Sequence, residues 1–213
     1  MSYEPRDGHD SRTDLIVTAI RLFAEQGIAA VSVRAVNRAA GLAAAAVHYH
    51  FGSKDALLDE AVAFHADDAV DAINAACDQL LDSGSPPTPY DLVAAFGSSY
   101  DSLLRRFPAS GRNWVAMIAQ LLLSDETRIS ELAKPVTHKL EALARLAFPD
   151  APVEQVRLAL GIAFVTFIRM VVQEEWSAQV EELGTTTVAR FLTGGLVAVL
   201  SREEPVSKAV GAA

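Results

Sequence analysis

Cysteine occurs once in this chain of 213 residues, at Cys77. That excludes an intrachain disulfide framework and a cysteine-cluster metal site. Cys77 lies among Ala and Leu, where a small buried hydrophobe is expected rather than a reactive thiol. Aromatics are also scarce, 7% against 51% hydrophobic residues overall, so the core must be built from Ala, Val, Leu and Ile. No run alternates cleanly between apolar and polar residues, which leaves little signal for strands. Ala-rich segments with few interruptions favour helices packed closely on helices, and the expected fold class is all-α.

Long hydrophobic runs are missing as well. The opening Met1-Ser2-Tyr3-Glu4-Pro5-Arg6-Asp7 has no apolar signal segment. The most apolar stretch, Leu158 to Val172, carries Thr166 and Arg169 and falls short of the roughly 20 residues a membrane helix needs. A soluble, cytoplasmic protein without a membrane partner is expected. No nucleophile–base pair, metal constellation or Gly-rich phosphate loop is visible, and Asp67-Asp68 and Glu174-Glu175 read as solvated charges. No catalytic residue, metal or cofactor is therefore assigned.

One local absence points the other way. The formal charge is −9, unfavourable for binding phosphate, yet no acid lies between Glu25 and Asp55. Arg34, Arg38 and Lys54 fall in or at the end of that gap, with His48 and His50. A chance gap in an Ala-rich segment would look the same, so the surrounding pattern has to decide.

That pattern is helical. Residues 1–10 read as a polar tail and 206–213 as a second one. Between them, 11–56 reads as a small helical domain and 57–205 as a larger one. Ser11 with Asp14 resembles a capping box for a first helix whose Leu15, Ala19, Leu22 and Phe23 share a face, and Gly27 ends it. Ser32 suits the N-cap of a second helix, Gly41 a tight turn, and residues 43–50 a third helix with Val47 inward. Ser53 can cap a fourth helix running to about Leu81, before the linker Ser83-Gly84-Ser85-Pro86-Pro87-Thr88-Pro89. Helices are expected near 90–106, 110–124, 126–148, 152–176 and 185–202, with Pro135 kinking or splitting the one that contains it.

Leu15 to Ala61 resembles the N-terminal domain of TetR-type (tetracycline-repressor-like) transcriptional regulators. Three phrases carry the likeness: Ala-x-x-Leu-Phe-Ala-x-x-Gly at 19–27, Ala-Gly-Leu at 40–42, and Val-His-Tyr-His-Phe-Gly-Ser-Lys-Asp-Ala-Leu-Leu at 47–58. The resemblance implies a helix-turn-helix domain and a homodimeric, ligand-responsive repressor on a pseudo-palindromic duplex. It also implies backbone contacts from Tyr49, His50 and Lys54. A Tyr hydroxyl and an imidazole N–H can each donate to phosphate oxygens. Arg34, in the first turn of the second helix, could reach a guanine edge, and Ser32 could touch a phosphate while capping. Arg38 is equally a solvated charge or a phosphate contact. Phe51 reads as packing, and His48 and His50 at i, i+2 point their rings apart, which argues against a metal pair.

The sequence departs from the family pattern at three places. Ala43 stands where a Ser or Thr usually caps the recognition helix, a loss of roughly 1 kcal/mol. Asn37 replaces a small residue at the helix crossing and is expected to open it or turn its amide to solvent. Ala43 to Ala46, with Ala44 and Ala45 at base-reading positions, offer only methyl groups. Discrimination is then expected to rest on Arg34, His48 and DNA shape.

In the larger domain, Val156, Leu160, Phe164 and Val171 recur at helical spacing, and Phe191, Gly194, Gly195 and Ala198 mark a second apolar helix. By resemblance these form a four-helix bundle across a two-fold axis; from sequence alone they could equally be core. Phe96, Tyr100, Asn113, Trp114, Met117, His138, Phe167, Arg169 and Met170 are candidates to line a site for a small apolar or amphipathic effector. The alternative reading is an all-α small-molecule-binding protein with weak or lost sequence-specific DNA recognition.

Overall fold

The computed structural model describes residues 10–123, 127–172 and 185–201. Among these residues there are helices and turns and no strand, as an all-α chain requires. The helices are α1 (Ser11–Gln26), α2 (Val33–Ala39), α3 (Ala46–Phe51), α4 (Lys54–Ala63), α5 (Ala66–Asp82), α6 (Pro89–Arg106), α7 (Pro108–Leu123), α8 (Thr127–Ala147), α9 (Val153–Val172) and α10 (Thr185–Leu200). Apart from Asp10, the expected tails lie outside the described residues, as do Glu174 and Glu175.

The chain divides into two compact units. One holds the residues up to Asp71 together with Tyr100–Lys134; the other holds Ala72–Ser99 and the residues from Pro135 onward.

In the first unit, α1 is the central rod. Leu15, Ile16, Ala19, Ile20, Leu22 and Phe23 are all buried on it, against α7, α4 and α2. An isolated helix of this length is marginal in water, whereas each large apolar side chain buried here contributes about 1.5–3 kcal/mol. Packing, not propensity, therefore holds α1. Its N-cap is Asp10, whose Oδ1 accepts from Arg12 N at 3.1 Å, so the expected Ser11–Asp14 box is not the device used. Asp is as good a cap as Ser and sits one residue earlier. At the other end Gly27, at φ 87°, turns the chain and returns its N–H to the Phe23 carbonyl.

The long fourth helix expected from Ser53 to Leu81 is broken at Phe64-His65. Trp114 on α7 explains the break. Its indole N–H donates to the carbonyls of Ala61 and Val62 at 3.1 and 3.0 Å, the acceptors that a continuous helix would offer residues 65 and 66. Pro108 opens α7, a first-turn position that needs no N–H. Gly111 lets the end of α6 approach: a Cβ there would meet Phe107 Cβ at 3.3 Å and Leu103 at 3.4 Å. Pro135 does not split its helix, because α8 runs through it as one element.

In the second unit, α9 and α10 pack on each other. Val156, Ala159, Leu160, Ala163, Phe167 and Ile168 are buried on α9, with Val188, Ala189, Leu192, Leu196 and Leu200 on α10. Arg157 ties α9 to α8 through Glu141 (Nε–Oε1 2.6 Å), and that guanidinium, donating to it, holds the Glu141 carboxyl below its ordinary range. Cys77 is fully buried, and desolvation pushes its thiol up to about 11.

Candidate nucleic-acid interface

The candidate reader is built from two short helices and the turn between them. Ser32 caps α2, its Oγ accepting from Ala35 N at 3.2 Å. Arg34 and Arg38 project from α2 and are exposed. The chain then turns through Gly41 at φ 69°, a backbone conformation that L side chains rarely adopt. Ala43 to Ala45 form an exposed turn rather than the first turn of a helix, and α3 begins only at Ala46. The expected start at 43 is thus too early, and Ala45, in the N-cap position, makes no side-chain capping bond.

The missing cap is replaced from across the turn. Asn37 is 1% exposed, against the expectation of an open crossing or a solvated amide. Its Oδ1 accepts from Val47 N at 3.0 Å and its Nδ2 donates to the Ala44 carbonyl at 2.6 Å. One amide thus satisfies a donor and an acceptor at the head of α3, both inside the crossing.

On α3, Val47 is fully buried and Tyr49, two residues on, is 84% exposed. A ring so little covered is not packing the domain. His50 is half-buried, edge-on to Tyr49 at 5.0 Å between centroids, and Phe51 is half-buried beneath the Arg12 guanidinium. His48 is exposed, with Nδ1 2.8 Å from the Gly52 carbonyl. Ser53 caps α4, accepting from Ala56 N at 3.0 Å.

Lys54 stands differently from its neighbours. Its ammonium turns back to donate to the Ile28 carbonyl at 2.6 Å, with the Ala29 carbonyl at 3.5 Å. The last turn of α1 has no basic residue of its own. Its end is served from afar by Gln120, whose Nε2 donates to Phe23 and Ala24 carbonyls, while Lys54 holds the turn that follows. Lys54 therefore has a structural task that the sequence reading did not assign.

A second cluster lies where α4 gives way to α5. His65 is 2% exposed, with Nε2 3.0 Å from Ser110 Oγ and Phe64, Phe107 and Trp114 around its ring. Its Nδ1 has no hydrogen bond; the Asp68 carboxylate stands 3.9 Å away, itself paired with Arg106. Burial holds the imidazole below its ordinary pKa, against the opposing pull of Asp68. Nothing in the local sequence marks this histidine out.

The residues expected around an effector fall into both units. Tyr100, Trp114 and Met117, in the first, are buried, Asn113 is half-buried, and the Trp114 N–H is already committed to α4. In the second, Phe96 and Phe167 are buried, Met170 is half-buried, and His138 and Arg169 are exposed. Arg169 is thus no buried charge in need of a counter-ion.

The expected dimerisation residues divide too. Val156 and Leu160 are buried within their own chain, and Phe164 is half-buried, its ring 5.2 Å from that of Phe96. These three are used internally. The outer face of α9 carries Leu158, 65% exposed, and Ile162 instead. On α10, Phe191 is 71% exposed, and Gly194, Gly195 and Ala198 are exposed beside Val197 and Val199. The side chain of Val171 lies outside the described residues.

Residues 15–61 match the family model described as bacterial regulatory proteins, tetR family. Over 57 residues the chain is 40% identical to an HTH-type transcriptional repressor, KstR2, of Rhodococcus jostii (strain RHA1), covering 27% of this chain and 28% of that protein. Over 102 residues it is 26% identical to KstR2 of Mycolicibacterium smegmatis, covering 48% and 47%. The matched part thus spans less than half the length of these curated relatives. Among solved structures, the TetR family transcriptional regulator PfmR of Thermus thermophilus superposes with a TM-score of 0.55 at 25% identity, covering 89% of this chain and 99% of that one. The fatty acid degradation regulator FadR of Bacillus halodurans reaches 0.61 at 17% identity, over 93% and 100%. The chain is thus similar to TetR-family regulators in residues 15–61 and in its fold.

Proposed function

We propose that the protein is a homodimeric DNA-binding repressor, released from a pseudo-palindromic operator by a small apolar or amphipathic ligand. The observation that carries the DNA-binding part is the exposure of Tyr49 on α3, beside exposed His48 and the exposed Arg34 and Arg38 of α2, in a segment with no acid. Tyr49 and His50 contact phosphates in this reading, Ser32 adds a contact at the head of α2, and Lys54 uses whatever donor capacity the Ile28 and Ala29 carbonyls leave it. Arg34 and His48 face base edges, while Ala44 and Ala45 can only meet thymine methyls.

Homodimerisation is supported by the exposed apolar side chains of α9 and α10, Leu158, Ile162 and Phe191 above all. Two reading heads related by a two-fold axis would address half-sites about one helical turn apart. Effector release requires the ligand to bind more tightly to a conformation whose heads no longer match that spacing. Regulators with the names of a fatty acid degradation regulator and a ketosteroid transcriptional regulator are among the structures with this fold. A cytoplasmic location accompanies this reading, and among the described residues no helix is long and apolar enough to cross a membrane.

A gel shift with the DNA upstream of the protein's own reading frame, run across a salt series, tests the proposal. Specific retardation that weakens steeply with salt is the expected result. Retardation indifferent to sequence, or absent at low salt, overturns it.

A further inference from the structure

The bond between His48 and Gly52 decides which atoms this histidine can offer a base. We propose that His48 reads, at one position of the contacted strand, a base presenting an exocyclic amine in the major groove, adenine N6 or cytosine N4. The inference rests on the reading of α2 and α3 as a DNA-contacting element and adds to it a chemical class of base.

His48 Nδ1 lies 2.8 Å from the Gly52 carbonyl oxygen. A carbonyl accepts and never donates, so Nδ1 carries the proton. In the neutral imidazole Nε2 then holds a lone pair and is an acceptor. The arrangement is closed from both sides, because Gly52 N donates to the His48 carbonyl at 3.0 Å. Gly52 sits at φ 78°, where an L side chain is strained, which keeps this carbonyl at the end of α3. The side chain is otherwise exposed, and no protein group is found on Nε2 among the described residues.

The surroundings leave that acceptor without competition from the preceding turn. Ala43, Ala44 and Ala45 are exposed and carry only methyl groups. In the major groove, guanine (N7, O6) and thymine (O4) present only acceptors to a reader, while adenine presents its N6 amine beside the N7 acceptor and cytosine its N4 amine. An Nε2 lone pair bonds the second pair and repels the first. The expected discrimination at one position per half-site is about tenfold to a hundredfold.

The test is selection from a duplex pool with a randomised core by the full-length chain and by His48→Asn. Asn keeps an N–H donor at the place of Nδ1 for Gly52 and has no atom at the place of Nε2; its acceptor, Oδ1, falls at the place of Cδ2, closer to the helix than Nε2. The wild type should enrich a motif with A or C at one position per half-site, and His48→Asn should lose the preference there alone. A second arm needs no variant. Each adenine or cytosine of the selected duplex is replaced in turn by its analogue lacking the amine, and one replacement should weaken wild-type binding about tenfold or more. A motif whose preferences survive His48→Asn, or no amine whose removal matters, overturns the inference while leaving DNA binding intact. Failure of the wild type to enrich any motif overturns the DNA-binding reading and this inference with it.

Discussion

Asn37 on α2 and Val47 on α3, ten residues apart, are joined by a buried bond from the Val47 N–H to the Asn37 side chain. The bond does for α3 what a local N-cap does elsewhere, but from the neighbouring helix. It therefore sets the crossing of α2 and α3 as well as the start of α3.

Replacing Asn37 should cost more than an ordinary cap. Asn37→Ala leaves the Val47 N–H and the Ala44 carbonyl without their partner inside the crossing, about 1–3 kcal/mol per unsatisfied group. Asn37→Asp keeps the acceptor for Val47 and sets a carboxylate against the Ala44 carbonyl, so it too should destabilise. Urea denaturation should show the loss, and amide exchange at Val47 should accelerate beyond the change in global stability.

Lys54 separates two roles that the resemblance merges. Lys54→Met removes the ammonium from the Ile28 and Ala29 carbonyls and should destabilise the first unit by about 1–3 kcal/mol. If Lys54 also neutralises a phosphate, the same variant lowers the slope of log affinity against log salt by about one. An unchanged slope with lowered stability assigns it to the fold alone.

Arg34 is exposed and carries no structural bond among those described, so its removal should leave the fold unchanged. Arg34→Ala is expected to weaken binding and relax base preference at one position, by about 1–3 kcal/mol. Unaltered affinity and preference in a binding assay would remove Arg34 from the reader.

His65 makes the first unit sensitive to acid. Its folded pKa lies below the ordinary value because burial disfavours the imidazolium, so the unfolded chain takes up the proton first. The His65 contribution is thus fully present above about pH 6.5 and is lost as pH falls through and below that value. Asp68 draws the proton in and Arg106 opposes it, without reversing the sign. Urea midpoints measured between pH 7.5 and 5 should fall, and His65→Leu should fall less steeply over the same range.

The outer face of α9 and α10 is expected to hold two copies together. Ile162→Asp with Phe191→Asp should weaken association by about 2 kcal/mol or more, seen as monomer by sedimentation equilibrium. The buried Val156 and Leu160 behave differently. Their truncation to Ala should lower stability of the monomer itself by about 1–5 kcal/mol.

The amino-acid pattern alone determined that the chain is helical and which segment is the candidate reader. Apolar spacing in α1, the glycines at 27 and 41, and the phrase from Val47 to Leu58 are local signals, and local signals survive without a fold. Tertiary structure decided what those signals could not reach. Lys54 is 26 residues from Ile28 and Gln120 is 97 from Phe23, separations at which no spacing rule applies. Trp114 breaks a helix whose own residues give no reason to stop. In α9 from Leu158 onward nearly every position is apolar, so periodicity leaves its inward and outward faces ambiguous; only packing against α10 and the rest of its unit buried Leu160 and left Leu158 and Ile162 outside.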